Sequence, residues 1–384
     1  MPADQPGIYV HIPFCARRCD YCAFATWTGR EMLWDRYVSA CRQQVRHLAE
    51  QGWGPAGTVF FGGGTPSLLP SSMLVGILRE IITGPGLAAA HEVTVECNPE
   101  TVTPEKLGAY RDAGVTRLSF GAQSMAPHVL ASLGRDHAPG SVRAAVRMAE
   151  EAGFAGRYNL DLIYGAAGES LADWRRTLQE VISLGPAHVS AYALTVEPGT
   201  PLSKDPTRFP VDDDQADKYL LAEELLSGAG LDWYEISNWA SPGAECRHNL
   251  LYWSQGDYAG IGCAAHSHCR QGDLGGRRWW NVRTPERYCD LTERGESVVA
   301  AQELVPDQDY TNEALMLSLR TRAGVPAELV PSELVDAGLL SLAGPARERA
   351  VLTTAGRLLA NEVAVRLRAP STRAAGPGGE VRAG

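Results

Sequence analysis

The sequence has no long hydrophobic run and no excess of positive charge. None of its 384 residues lie in an apolar stretch of about 20, the length that a membrane-spanning helix needs. Its first seven residues have no basic segment followed by an apolar one, so they do not resemble a secretory signal. A net charge of −10 disfavours a surface for nucleic-acid phosphates. These absences predict a cytoplasmic protein that neither spans a membrane nor binds nucleic acid.

Cysteine is sparse, and three of the cysteines are closely spaced. Nine cysteines in 384 residues are a low and odd number, which argues against a disulfide framework. A second CxxC pair, common in structural zinc sites, is missing. Cys15, Cys19 and Cys22 instead form a CxxxCxxC segment. Three thiolates can bind three irons of a [4Fe–4S] cluster and leave the fourth open. We therefore predict that these cysteines hold such a cluster.

Strand and helix patterns alternate in the first half of the chain. Six apolar segments have the length of buried strands, and helical spacing of apolar residues separates them. The strand segments are residues 8–12, 58–61, 92–95, 115–120, 158–163 and 188–193. Repeated βα units imply a parallel sheet with helices outside, so we predict an α/β fold with a partial (β/α)6 barrel of TIM type. Functional residues in such barrels gather at the C-terminal ends of the strands.

Changes in composition divide the chain into four predicted parts. Residues 1–205 form the barrel, and residues 206–300 form a connecting region rich in aromatic residues and glycine. Residues 301–369 form a smaller, mostly helical domain that resembles a winged helix, although its nearly balanced charge disfavours DNA binding. Residues 370–384, rich in proline and glycine, form a tail predicted to be disordered.

Polar residues lie at or after several predicted strands. A Gly-Gly-Gly-Thr-Pro run at residues 62–66 follows the second strand, where glycines let a ligand approach the backbone, although a plain tight turn is the alternative. Glu96 and Gln123 end the next two strands, where they could bind ribose hydroxyls or an amino group, or be surface groups. Asp161 is the strongest candidate, because a carboxylate in an apolar strand needs a partner. Arg135 could pair with a carboxylate ligand.

Three segments together resemble one superfamily. Residues 9–24, 62–66 and 159–165 are similar to radical S-adenosylmethionine (SAM) proteins related to oxygen-independent coproporphyrinogen III oxidase (HemN). The resemblance implies that the three cysteines bind the cluster and that its open iron chelates the amino acid end of SAM. It also implies that SAM contacts Tyr9, Tyr21, Gly63, Gly64, Thr65, Glu96, Gln123, Arg135 and Asp161.

Two further features resemble one subfamily, the haem chaperone (HemW) family. The oxidases carry a fourth cysteine two residues after the third, where this sequence has Phe24. Residues 248–253 read His-Asn-Leu-Leu-Tyr-Trp and match the HNxxYW pattern of HemW. The resemblance implies that the protein binds haem and passes it to apo-haemoproteins, including respiratory enzymes at the membrane. It leaves open whether SAM is cleaved in a turnover cycle.

His248 is the predicted haem ligand, because histidine commonly binds haem iron and two aromatic residues follow it. The alternative is that His248 forms hydrogen bonds within a packed loop, and His266 and His268 are further candidates for the ligand. Two other functions stay open. One is the radical-SAM oxidative decarboxylation of coproporphyrinogen III, and the other is a radical-SAM reaction on an unrelated substrate without haem.

Overall fold

The computed structural model describes residues 5–135 and 138–367 and divides into two compact units. The first unit contains the chain up to Arg270 and Arg277–Leu304, and the second contains Gln271–Gly276 and the chain from Val305. The four-part division drawn from the sequence stays a prediction, and its tail at 370–384 lies outside the described residues. In the described part of the chain, no helix has both the length and the apolar character needed to cross a membrane.

A twelve-stranded sheet forms the centre of the first unit. Its strands are β1 (Gly7–Ile12), β2 (Ala56–Gly63), β3 (Leu87–Cys97), β4 (Arg117–Gln123), β5 (Tyr158–Tyr164), β6 (His188–Ala193), β7 (Asp232–Glu235), β8 (Asn238–Ala240), β9 (Tyr258–Ile261), β10 (His266–Arg270), β11 (Gly276–Asn281) and β12 (Val299–Val305). Their order across the sheet is β12-β11-β10-β9-β1-β2-β3-β4-β5-β6-β8-β7. Strands β1 to β6 are parallel neighbours and β9 adds a parallel strand beside β1, whereas β10 and β8 are antiparallel to β9 and β6.

Helices connect the parallel strands. They are α1 (Trp34–Glu50), α2 (Ser71–Thr83), α3 (Pro104–Asp112), α4 (Pro127–Ser132), α5 (Pro139–Ala149) with a π-helical turn (Glu150–Phe154), α6 (Leu171–Ser183), α7 (Asp212–Gly228), α8 (Arg247–Trp253) and α9 (Pro285–Glu293). Capping side chains close in sequence determine where two of these helices begin. The Thr103 side chain accepts from the backbone N–H of Lys106 at the start of α3, and Ser170 with Asp173 forms a capping box at α6.

Side chains along β1 alternate between the two faces of the sheet. Ile8, Val10 and Ile12 are fully buried on one face. Tyr9 and His11 point to the opposite face, as the period of two in a strand requires. We call this opposite face the inner face, because the residues of the candidate site lie on it. The six predicted strand segments correspond to β1–β6, so the sequence located six of the parallel strands of this sheet.

The second unit combines a small sheet with helices. Its strands β13 (Val325–Pro326), β14 (Leu340–Ala343) and β15 (Arg349–Leu352) form an antiparallel sheet in the order β13-β15-β14. Its helices are α10 (Asp307–Leu319), α11 (Ser332–Asp336), α12 (Thr354–Leu358) and α13 (Ala360–Ala364). A three-stranded antiparallel sheet with short helices is the layout of a winged helix, as predicted.

Candidate functional site

A cavity of about 790 Å³ lies at the C-terminal ends of the parallel strands. Its volume is in the usual range for small-molecule and cofactor sites. The lining contains all three cysteines of the CxxxCxxC segment and all but one of the residues predicted to contact SAM. These lining residues are Cys15, Cys19, Tyr21, Cys22, Gly63, Gly64, Thr65, Glu96, Gln123, Arg135 and Asp161. Residues more than 140 positions apart in the sequence, such as Cys15 and Asp161, therefore line the same cavity.

The cysteines lie on a loop that closes on itself after β1. The Cys15 N–H donates to the Trp27 carbonyl at 3.0 Å, and the Trp27 N–H donates to the Pro13 carbonyl at 2.7 Å. Within the loop, the Cys22 N–H donates to the Cys19 carbonyl at 3.3 Å. All three thiols are half-buried and free of disulfides. The loop thus presents three thiols to one cavity.

The thiols can supply the donors of an iron–sulfur cluster. Burial raises the pKa of Cys15 to about 11 and raises the pKa of Cys22, so loading a metal on these thiolates must release protons. In the described part of the chain, no three His, Cys, Asp or Glu side chains converge closely enough for a single metal ion. A [4Fe–4S] cluster has a different requirement, because its three thiolates bind three separate irons. The donor set fits that group.

The glycine run after β2 packs against the cysteine loop. Gly63 has a φ of 108°, a conformation that favours glycine, and its N–H donates to the Glu96 carboxylate at 3.1 Å. A Cβ at Gly64 would lie 2.7 Å from the Phe14 carbonyl oxygen. The Thr65 N–H donates to the same carbonyl at 2.8 Å. Close backbone approach therefore explains these glycines, and the run is more than a plain turn.

Two carboxylates lie opposite the cysteine loop. Burial, with a contribution from the charge of Asp161, raises the pKa of Glu96 to about 8, and the Gly63 N–H opposes this rise. Burial also raises the pKa of Asp161, against hydrogen bonds that stabilise its charge. These come from the Ser119 hydroxyl at 2.8 Å and the Asn159 amide at 2.7 Å. Both carboxylates are thus placed to accept from a cationic or hydroxylated ligand.

Arg135 lies between the cysteine loop and β4. Its Nη1 contacts the Cys19 sulfur at 3.5 Å and its Nη2 donates to the Gly121 carbonyl at 2.9 Å. Its Nε is buried and has no hydrogen-bond partner among the described residues, so an added acceptor would satisfy it. Gln123, which ends β4, has a φ of 61°, which is unusual for a residue other than glycine. Tyr21 packs nearby against a buried apolar cluster.

Tyr9 is the predicted SAM contact that the structure does not bring to the cavity wall. Its hydroxyl is 3.0 Å from His11 Nδ1, and its ring stacks with Phe60 and His248 at centroid distances of 6.3 and 6.5 Å. It lies on the inner face of β1, before the C-terminal end of the strand. Direct contact of Tyr9 with SAM stays a prediction.

His248 lies near the N-terminal ends of the strands and is only 1% exposed. Its Nδ1 is 2.8 Å from the Thr58 hydroxyl and its Nε2 is 2.9 Å from the Tyr252 hydroxyl. Burial lowers the pKa of His248 to about 3. The Glu92 carboxylate accepts from the backbone N–H groups of Arg247 and His248, which fixes the start of α8. This geometry matches the alternative of hydrogen bonding within a packed region. Haem ligation by His248 stays a prediction that requires the ring to leave this position.

Comparison with known proteins decides the family. The sequence model of the Radical SAM superfamily matches residues 9–181. A curated Mycobacterium tuberculosis protein named Heme chaperone HemW is 43% identical over 378 residues, which cover 94% of this chain and 95% of the relative. The Bacillus subtilis protein of the same name is 34% identical over 375 residues, covering 92% of this chain and 97% of the relative. The chain belongs to the HemW family.

A solved structure supports the HemW fold assignment. The coproporphyrinogen III oxidase HemN from Escherichia coli superposes with a TM-score of 0.80 at 21% identity, covering 94% of this chain and 90% of that one. Identity this low shows the fold alone. The predicted α/β fold with a partial (β/α)6 barrel and a smaller C-terminal domain is confirmed for this HemW-family chain.

The sequence analysis missed two residues that line the cavity and two buried glutamates that lie outside it. Tyr192 at the end of β6 and Ser119 in β4 line the cavity. Glu235 is 1% exposed, and burial raises its pKa to about 8 although the Trp253 indole donates to it. The signal available for Glu235 was an acidic residue that directly follows two aromatic residues in the short strand β7. Nothing in the sequence near Glu92 indicates its role, because the backbone N–H groups that it accepts from lie more than 150 residues away in the chain.

Proposed function

We propose that this protein is a cytoplasmic haem chaperone that holds a [4Fe–4S] cluster and SAM and delivers haem to apo-haemoproteins. The observation that carries the proposal is the convergence of three free thiols with Glu96 and Arg135 on one cavity. The curated relatives named Heme chaperone HemW support the haem-carrier part.

The cavity residues divide into two roles. Cys15, Cys19 and Cys22 would hold the cluster, and its iron without a thiolate would leave a coordination position for the amino acid end of SAM. When bound, the cluster and SAM supply one-electron reductive chemistry. Glu96, whose pKa burial raises to about 8, would accept a hydrogen bond from the SAM amino group once its carboxyl is ionised. The buried Nε–H of Arg135, which has no partner among the described residues, would donate to the SAM carboxylate.

Asp161 is suited to the ribose of SAM. The Ser119 hydroxyl and the Asn159 amide hold its two oxygens in fixed positions, which leaves the remaining lone pairs for ligand hydroxyls. Gly63 and Gly64 keep side chains out of the same space. Tyr21 supplies an aromatic wall beside the cysteines.

The haem acceptors are apo-haemoproteins, including respiratory enzymes at the membrane. A transient carrier should bind haem iron loosely, so that a partner with a stronger site can remove it. Peripheral association at the membrane is compatible with a chain whose described helices do not span one.

Cluster and haem content of the purified chain test the proposal. Anaerobic reconstitution should add iron and sulfide to wild type, SAM should change the cluster spectrum, and haemin should give a Soret band. Cys15→Ala should lose cluster, while Cys269→Ala, another half-buried cysteine outside the cavity, should keep it. A Cys269→Ala loss equal to that of Cys15→Ala, or no cluster in wild type, would refute the proposal.

One competing function shares the HemN fold, and an activity assay separates it from haem transfer. Phe24 lines the cavity and is 65% exposed where the oxidases carry a fourth cysteine. We expect no multiple-turnover conversion of coproporphyrinogen III by the reduced, SAM-loaded protein under anaerobic conditions. Many turnovers to protoporphyrinogen would favour the oxidase instead.

A further inference from the structure

Buried polar residues cross the inner face of the sheet next to Asp161. Ser119 in β4, Asn159 in β5 and His188 in β6 are paired directly across these three parallel strands. Asp161 comes two residues after Asn159, so it points to the same face, one level nearer the C-terminal strand ends. Polar side chains inside a barrel are costly unless each is hydrogen-bonded, so the partners of these residues need an explanation.

Hydrogen bonds join these residues to one another and to Tyr234 in β7. His188 Nδ1 is 2.6 Å from Asn159 Oδ1, and His188 Nε2 is 2.8 Å from the Tyr234 hydroxyl. The Asn159 Nδ2 donates to Asp161 Oδ1 at 2.7 Å and to the Ser119 hydroxyl at 2.7 Å. The Ser119 hydroxyl in turn donates to Asp161 Oδ2 at 2.8 Å. His188, Asn159 and Tyr234 are all buried, so these bonds are shielded from bulk water.

The partners determine where the protons of this network lie. An ionised carboxylate only accepts, so the Asn159 amide presents its NH2 group to Asp161 and its carbonyl oxygen to His188. His188 Nδ1 therefore carries a proton. Burial lowers the pKa of His188 well below its usual value, so the ring is neutral at pH 7 and its Nε2 accepts from the Tyr234 hydroxyl. The donors of Tyr234, His188 and Asn159 thus all point along the network towards Asp161.

His188 determines which way the Asn159 amide faces. The two ends of an asparagine amide have nearly the same shape, and the reversed orientation would place the carbonyl oxygen against Asp161. Two acceptors would then face each other unless Asp161 were protonated, and burial already raises the pKa of Asp161. Ser190 also contacts the amide, but its hydroxyl can donate or accept and so suits either orientation. The donor at His188 Nδ1 therefore keeps Asp161 facing an NH2 group, which favours its ionised, accepting form.

We propose that His188 is a positioning residue for SAM, which acts through Asn159 to hold Asp161 ready to accept from the ribose hydroxyls. The inference rests on the proposed SAM site and adds to it a residue that does not line the cavity. Asp161 and Ser119 line the cavity, whereas Asn159 and His188 lie behind them. His188 should therefore affect how strongly the protein distinguishes a ribose with hydroxyls from one without them, while touching neither.

Two similar substitutions separate positioning from packing. The side-chain nitrogen of asparagine takes the place of histidine Nδ1, so His188→Asn can still donate to the Asn159 carbonyl oxygen. The side-chain amide of glutamine reaches the place of Nε2, so His188→Gln keeps a partner for Tyr234 and loses the donor to Asn159. Both variants replace a buried neutral ring by a neutral amide, so a loss caused by packing alone should appear in both.

Equilibrium dialysis of the full, anaerobically reconstituted chain measures the effect, with the cluster kept oxidised so that SAM stays intact. The probes are SAM and the SAM analogue that lacks both ribose hydroxyls. His188→Gln should raise the Kd for SAM about tenfold, as expected for weakened hydrogen bonds to a charged group, and should leave the Kd for the analogue unchanged. His188→Asn should keep the wild-type ratio of the two Kd values. In an Asp161→Asn background, His188→Gln should change neither Kd further, because the effect passes through Asp161.

The outcomes distinguish the positioning role from the proposed function. Equal rises in both Kd values in His188→Gln, or equal effects of His188→Gln and His188→Asn, would overturn the role of His188 and leave the SAM site intact. If neither His188 variant folds, Asn159→Leu provides the test, and an unchanged ratio of the two Kd values in that variant would overturn the role as well. Equal binding of both probes by wild type would refute the assignment of Asp161 to the ribose, and with it the role of His188. A wild-type chain that holds a cluster and binds no SAM would refute the proposed function itself.

Discussion

Replacing Glu96 by glutamine should change how the stability of the metal-free protein depends on pH. In the folded protein, burial raises the pKa of this carboxyl from 4.5 to about 8. The folded state therefore binds more protons than the unfolded state between these two pH values. Stability is fully present below the unfolded pKa and is lost as pH rises towards the folded pKa. Glutamine has a similar shape and no proton to lose, so the variant lacks this loss.

The size of the effect follows from the pKa difference. Each unit of pKa difference corresponds to about 1.4 kcal/mol of unfolding free energy. Between pH 5.5 and pH 8, wild type should therefore lose about 3 kcal/mol of stability that Glu96→Gln keeps. The difference in unfolding free energy between variant and wild type should therefore grow by that amount across this window. Other titrating groups are common to both proteins and cancel.

Urea denaturation followed by tryptophan fluorescence measures the difference, with thiols kept reduced and metal absent. Free energies are taken from the first cooperative transition at pH 5.5, 7 and 8. Glu151→Gln, at an exposed glutamate, is the matched control and should show a pH dependence parallel to that of wild type. Parallel curves for Glu96→Gln and wild type, or a difference that shrinks as pH rises, would refute the reasoning.

Three further predictions concern stability, α8 and the cluster. Lys218 and Glu169 form a fully buried ion pair, with Nζ 3.4 Å from a Glu169 oxygen, so Lys218→Met leaves a buried carboxylate unpaired and should cost about 3–5 kcal/mol of unfolding free energy in urea melts. Exposed Lys204→Met should cost almost nothing, and equal losses in both variants would contradict the buried-pair account. Glu92→Ala should speed amide hydrogen exchange in α8, because its first N–H groups lose their acceptor; unchanged exchange would show that Glu92 does not hold the helix. Cys22→Ala should bind less iron and sulfide than wild type, and full loading measured by chemical analysis would remove Cys22 from the ligand set.

The sequence predicted those features that depend on local pattern and on a general rule of barrels. Apolar periodicity located β1–β6, and the rule that loops converge at the C-terminal strand ends brought Cys15, Glu96 and Asp161 to one cavity. The capping box of Ser170 with Asp173 is equally local and was confirmed. These inferences needed no knowledge of which distant residues touch.

The environment of His248 was beyond such reasoning. Its partner Thr58 is 190 residues away in the chain, and only the packing of α8 against β2 brings them together. The same holds for Tyr9, because its ring packs with Phe60 and His248, and the three residues come from three separate elements. The burial of His248 is a property of the fold and cannot be read from its motif.

The most direct test of the account is whether a SAM-responsive cluster assembles on the three thiols. After anaerobic reconstitution, we expect about four irons and four sulfides per wild-type chain and an EPR spectrum of the reduced cluster that changes when SAM is added. A chain that takes up no iron and sulfide, or a cluster whose spectrum ignores SAM, would contradict the account.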